Sequence, residues 1–250
     1  MSEDLTARMR DTWDMLARRN AMHYIATERE EWDRDAFLRS GRETLHTLLH
    51  GVGHRPRGVA LDLGCGIGRL SLALADEFAR VQGIDVSREM IGRANELKAE
   101  LGYSNVDFYC NNGLDIAFVQ TDSCDLGFSY IVLQHLPDNR IVRSYIRELA
   151  RVVKPGGYVL FQVPVYRPTL VVFPWRIAQR VFRRLLWLLE RLALITPEKR
   201  LAFRGSRLTP GELHATLADA GLKTISIQRT ASPYRFCDDA LVYAAKRRSA

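Results

Sequence analysis

The chain is 250 residues long, 47% hydrophobic and 26% charged, enough to bury the core of one large α/β domain or at most two small ones, which excludes disorder as the default. Its formal net charge of +7 has a local origin: ten Lys/Arg against two Glu lie between Val165 and Arg207, and the rest of the chain is close to neutral. The N-terminal run MSEDLTARMRD is charged from its third residue and carries no apolar stretch, so a secretory signal is excluded and a cytoplasmic setting expected.

Met1 to His54 shows helical periodicity around Thr12 to Ala17 and from Asp35 to Leu49, predicting a helical cap over residues 1–54. Residues 55–250 are read as the main domain, in which short apolar, β-branched runs alternate with amphipathic stretches. That rhythm predicts a parallel sheet with helices on both faces, an α/β doubly wound fold. Strands are expected at Gly58 to Leu63, Arg80 to Asp85, Asn105 to Cys110, Cys124 to Tyr130 and Tyr158 to Val163. Ser87 caps a helix that ends at Gly102, and Pro137-Asp138 opens another that Pro155-Gly156-Gly157 stops. After a helix capped by Thr209 and ended near Gly221, two further strands are read as an antiparallel pair at one sheet edge.

An insertion at about 165–207 interrupts this rhythm. From Pro174 to residue 195, Ile177, Val181, Phe182, Leu185, Leu189 and Leu192 share one half of a helical projection, and Arg176, Arg180, Arg183, Arg184 and Arg191 share the other. Five arginines exclude a transmembrane span. Cys65, Cys110, Cys124 and Cys237 form no Cys-x-x-Cys pair and have no His at ligand spacing, so reduced thiols are expected, with neither metal site nor disulfide framework.

The chemistry begins at LDLGCGIGR, Leu61 to Arg69, where a strand runs through three closely spaced glycines into a helix. The dinucleotide fingerprint requires a third glycine where this chain has Arg69, so the pyrophosphate spacing of a nicotinamide or flavin enzyme is broken. Alternate-residue glycines suit a ligand without phosphate, such as S-adenosylmethionine. Asp85 ends the next strand, where its carboxylate can accept both ribose hydroxyls or, more simply, cap the helix that starts at Ser87.

These pieces, together with VQGIDVSREMI, NVDFYCNNGLDI, CDLGFSYIVLQHLPD and ELARVVKPGGYVLFQVP in that order, resemble the class I S-adenosylmethionine-dependent methyltransferases of the small-molecule type. The resemblance implies a seven-stranded, mostly parallel sheet with its last strand antiparallel and the cofactor across the strand ends. It implies that Gly64, Gly66 and Gly68 lie under the methionine part, that Asp85 holds the ribose, and that Asp62 and Cys65 also belong to the cofactor site. Val86 and Met90 would border the adenine, Asn112, Gly113 and Leu114 its amino edge, and Tyr130 the sulfonium. Where the commonest pattern has Gly-Asp, this chain has Asn112-Gly113-Leu114-Asp115, leaving Asn112 and Asp115 as alternative readers of the adenine.

Transfer from a sulfonium needs alignment and, for a hydroxyl or protonated amine acceptor, a base. His135, just past the fourth strand, is the candidate catalytic base, its alternative being a loop-shaping hydrogen bond. His23 and Tyr24 would join only if the N-terminal cap folds over the site. Cys65 is read as a small packing residue. The expected reaction is methyl transfer to an O or N atom of a small, hydrophobic or lipid-like acceptor; the alternative is an RNA or protein methyltransferase that binds through the basic insertion. Nucleic acid is disfavoured, because RNA would leave the leucine face of 174–195 unburied. That helix is read as a lid, as a peripheral membrane contact meeting anionic head groups, or as an extra core helix. A binding module that kept only the fold would show a spoiled cofactor site, and Gly64, Gly66, Gly68 and Asp85 are intact.

Overall fold

A computed structural model describes residues 2–50, 58–167, 206–232 and 237–247. Five strands, β1 (Val59–Leu63), β2 (Arg80–Asp85), β3 (Val106–Cys110), β4 (Cys124–Ser129) and β5 (Val153–Tyr166), run parallel. Two more, β6 (Leu222–Ala231) and β7 (Cys237–Lys246), complete a seven-stranded sheet of order β3-β2-β1-β4-β5-β7-β6, in which β7 is antiparallel to both neighbours. The order reverses between β1 and β4, so their carboxyl ends diverge into a crevice.

β1 and β4 are buried almost throughout because both sheet faces are covered. On one face, α5 (Asn139–Val152) and α6 (Pro210–Asp219) pack Tyr145, Ile146, Leu149, Leu213 and Leu217 against Leu61, Val159 and Phe161. On the other, α2 (Arg34–His50), α3 (Arg69–Ala75) and α4 (Arg88–Glu100) pack Leu45, Leu48, Leu72 and Ile91 against Ala60, Leu126 and Phe128. Each fully buried Leu or Phe contributes about 1.5–3 kcal/mol, so these two layers supply most of the cohesion.

The predicted caps form as local chemistry requires. Ser87 Oγ accepts from Met90 N, Asp138 Oδ1 accepts from Arg140 N, and Thr209 and Glu212 make a reciprocal capping box with Pro210 in the first turn. One boundary differs. Pro155 ends the helix before it, yet Pro155-Gly156-Gly157 is an irregular start of β5 instead of a free turn. The pairing jumps from Cys124↔Val153 to Leu126↔Tyr158, and Gly156 at φ 85 absorbs the extra residues. β5 also continues past Val163 to Tyr166, because β7 supplies partners as far as Cys237.

α1 (Ser2–Ile25) lies across α4 and kinks at Asn20 (φ −166°, ψ 84°), whose Oδ1 accepts from His23 N. Asp14 Oδ1 pins it, accepting from Ser87 Oγ at 2.5 Å and from Glu89 N at 3.1 Å at the positive end of α4. The helix expected at 174–195 lies outside the described residues, but both roots of its segment are placed. Tyr166 N donates to Leu208 O, Leu208 N donates to Pro164 O, and Ser206 Oγ donates to Leu136 O, so the chain leaves and re-enters at the carboxyl end of β5. Among the described residues no helix is long and apolar enough to cross a membrane.

Asp14→Ala removes an acceptor from the Glu89 amide at a helix start while leaving the Ser87 cap in place. It should lower stability by about 1–2 kcal/mol in urea unfolding of the full chain; an unchanged midpoint would mean that α1 is not held through this contact.

Candidate active site

The turn after β1 is built on left-handed glycines. Gly64 has φ 80, and a Cβ there would overlap the Val132 side chain; Gly66 has φ 56, and its Cβ would meet Ile25 Cδ1 at 2.6 Å. Glycine thus lets the chain turn and lets side chains from the β4 end and from α1 close over it. Gly68 serves packing: as N-cap of α3 at φ 89 it faces Phe108, whose Cζ would lie 2.8 Å from an added Cβ.

Asp85 joins this turn to the next strand, its two oxygens accepting from Gly66 N and Ser87 N at 2.9 Å each. Ser87, not Asp85, caps α4, so the simpler reading of Asp85 as only a helix cap does not hold. Burial raises its pKa, against the pull of the Ser87 and Gly66 amides. Asp62, on β1, accepts from Ser71 Oγ at 2.6 Å; burial pushes its carboxyl up to about 7, the Ser71 hydroxyl opposing. Burial also drives the Cys65 thiol well up, keeping it protonated and unreactive, as a packing residue should be.

These groups line a cavity of about 970 Å³, counting its open mouth. Of the residues that the sequence singles out, Asp62, Gly64, Cys65, Gly66, Asp85, Val86, Met90, Tyr130 and His135 line it. Gly68, Asn112, Gly113 and Leu114 are not among its described lining. The turn after β3 presents Asn111 instead, because Asn111 N continues the β2 ladder by bonding Asp85 O. Asn112 folds back on its own turn, its Oδ1 accepting from Leu114 N and Asp115 N, and Asp115 Oδ1 accepts from Ala117 N. Asn111 is fixed by donating from Nδ2 to Asp115 O and Tyr145 Oη.

The roof comes from α1. Met9 and Trp13, one turn apart, and Tyr24 and Ile25 beyond the kink line the cavity, while His23 is turned away, its Nδ1 2.8 Å from Arg29 O. The apolar spacing 9, 13, 16, 17 was the available signal for the roof, but it does not say what α1 covers. At the mouth, Ile131 occupies a left-handed conformation (φ 58) that is strained for a β-branched residue. Its N–H donates to the buried Gln162 Oε1 at 3.0 Å. A single 3-10 turn, Leu133–His135, follows. Trp13 meets the His135 ring edge-on at 5.4 Å, and Gln134 Nε2 lies 3.1 Å from His135 Nε2, so with the amide as donor that ring nitrogen is an unprotonated acceptor.

A glycine turn, a half-buried carboxylate at the end of the adjacent strand and a crevice at the sheet's switch point define an α/β enzyme that binds a nucleoside ligand. Residues 60–157 match the methyltransferase-domain family. The demethylmenaquinone methyltransferase of Bacillus licheniformis is 33% identical over 179 residues, spanning 68% of this chain and 73% of that one. A ubiquinone biosynthesis O-methyltransferase of Burkholderia vietnamiensis is 39% identical over 102 residues, 41% of this chain and 42% of its own length. Among solved structures, the SAM-bound magnesium protoporphyrin IX methyltransferase of Synechocystis PCC 6803 has the same fold (TM-score 0.61, 19% identity, 98% of this chain and 97% of that). So does the geranyl diphosphate C-methyltransferase of Streptomyces coelicolor A3(2) (TM-score 0.64, 14% identity, 97% of each chain). The chain belongs to the class I S-adenosylmethionine-dependent methyltransferases. The residues present fit that cofactor: the half-buried Asp85 keeps acceptor capacity beyond its two amide bonds, and Gly64 and Gly66 present backbone without Cβ atoms.

Asp62 makes stability depend on pH. Its pKa in the folded chain, about 7 against 3.8 for an ordinary carboxyl, means the folded protein holds a proton that the unfolded chain releases. Its contribution to stability is therefore full below about pH 4 and is lost as pH rises to about 7. Urea unfolding of cofactor-free protein between pH 4 and 8 should show wild type losing stability relative to Asp62→Asn, by up to roughly 1.4 kcal/mol per pH unit; parallel curves would mean that Asp62 titrates normally.

Proposed function

We propose that the protein methylates an O or N atom of a small, largely apolar acceptor, with His135 as the base that takes the acceptor's proton. The observation that carries this reading is the composition of the cavity mouth. Trp13, Ile131, Val132 and Leu136 make an apolar surround for one ionisable ring, a setting that selects greasy acceptors and keeps water from the reacting atoms. Relatives named for demethylmenaquinone and for ubiquinone biosynthesis support an acceptor of this kind.

S-adenosylmethionine supplies a methyl group on a sulfonium that already leaves well, so the chain's own task is alignment, water exclusion and proton removal. Trp13 and Gln134 hold the imidazole at the mouth with Nε2 as the acceptor nitrogen. The proton that the methyl acceptor sheds on methylation would pass to His135 Nε2 as the Gln134 amide gives up its hydrogen bond there. Neutral imidazole suits this near pH 7.

The basic helix expected at 174–195 extends the proposal. Its roots meet beside Leu136, which lines the mouth. A helix with a leucine face and an arginine face at that position would bring the mouth to an anionic lipid surface holding the acceptor.

His135→Asn should lower kcat by roughly 10²–10⁴-fold and abolish the acidic limb of the kcat–pH profile. A loss of activity with the limb retained would make His135 structural. With labelled S-adenosylmethionine and a cell extract, label should enter the organic-soluble fraction; label in RNA or protein would replace the apolar acceptor with the alternative substrate class.

A further inference from the structure

Arg69 broke the dinucleotide spacing, and nothing in the reaction above uses it. It is 5% exposed and lines the cavity between the glycine turn and Tyr130. Buried arginines are almost always paired with a carboxylate; among the described residues this one forms no ion pair. Among the described residues its hydrogen bonds run from one terminal nitrogen to two neutral hydroxyls on α2, Ser40 Oγ at 3.2 Å and Thr44 Oγ1 at 3.4 Å. Its guanidinium also lies over the Phe37 ring, 5.9 Å from the centroid. The Nε atom is buried with no hydrogen-bond partner.

The side chain has little freedom to escape this position. A Cβ on Gly41 of α2 would come within 2.6 Å of Arg69 O and 2.9 Å of its Cγ, so α2 presses directly on the arginine's stem. Burial lowers the guanidinium's pKa, and the acidic groups that oppose this, Glu28, Tyr130 and Asp62, act through space without forming an ion pair. A permanent cation has been taken out of water, fixed on neutral groups and left with an unused donor at a ligand cavity. That arrangement stores electrostatic free energy that an incoming anion recovers.

We propose that Arg69 is an oxyanion receptor of the cavity, taking a ligand oxyanion on its guanidinium. Two ligands can bring such a group: the cofactor, through the carboxylate of its methionine part, or the acceptor, through a carboxylate or phenolate. The inference rests on the cavity being a methyltransferase site and not on the acceptor being apolar, so the two can fail separately.

The test compares wild type with Arg69→Met, which keeps the stem and removes the charge, and with Arg69→Lys, which keeps the charge and removes the fork. Calorimetry measures adenosylhomocysteine and its decarboxylated analogue. If the cofactor is the source, Arg69→Met weakens adenosylhomocysteine at least tenfold and leaves the decarboxylated analogue within twofold. If the acceptor is the source, cofactor affinities hold. With adenosylhomocysteine saturating, wild type then binds decanoate at least tenfold tighter than decan-1-ol, and Arg69→Met erases the preference. Because the charge is uncompensated without ligand, ligand-free Arg69→Met should melt no lower than wild type. Equal weakening of adenosylhomocysteine and its analogue, or no change with any of the four probes, overturns the proposal. If Arg69→Met does not fold, Arg69→Lys answers the same comparison, with at least a threefold loss confined to the carboxylate-bearing probe.

Discussion

One half-buried carboxylate joins the parts of this site that would otherwise diverge. Asp85 ends β2 and accepts from Gly66 N in the turn after β1 and from Ser87 N at the start of α4, so two adjacent strand ends and a helix start are tied to the same two oxygens. Everything above the sheet is referred to that knot. Ser87 caps α4, the same hydroxyl donates to Asp14, and Asp14 holds α1 down so that Met9 and Trp13 roof the cavity. The hydrogen bonds are short-range, but they run in series from sheet to roof.

The cavity wall is also where the protein tolerates the least comfortable groups. Asp62 is buried and Asp85 half-buried, and desolvation disfavours the charged form of each, while Arg69 is a buried cation with no ion pair among the described residues. Ile131 holds a left-handed backbone whose N–H is fixed by Gln162. Charge in a dry wall acts strongly on a ligand because little solvent screens it, and a backbone strained at the mouth keeps Val132 and His135 from relaxing away. The cost is carried by the two aliphatic layers on either side of the sheet.

The two ends of the site divide the work. The strand-end turn and Asp85 form the polar end that suits the methyl donor, and the mouth, with Trp13, Ile131, Val132 and Leu136, is apolar. The segment between Tyr166 and Leu208 is anchored to that apolar end by the bonds of its roots to β5 and Leu136.

Caps, glycine turns and strand alternation act over a few residues, so they are readable in order along the chain. Ser87, Asp138, Thr209 and the Gly64–Gly68 turn were all legible in this way, and with them the α/β class, the donor and many of the residues that line the cavity. The sequence could not distinguish Asn111 from Asn112, because which one faces the cavity depends on Asp85 O receiving one more ladder bond from β3. It could not say that Met9, Trp13 and Tyr24 roof the site, because amphipathic spacing identifies a buried face but not the surface that buries it. It could show Arg69 only as a missing glycine. Its lack of a carboxylate partner among the described residues is a property of everything packed around it, from α2 nearly thirty residues before to the end of β4, and only the folded chain brings those groups together.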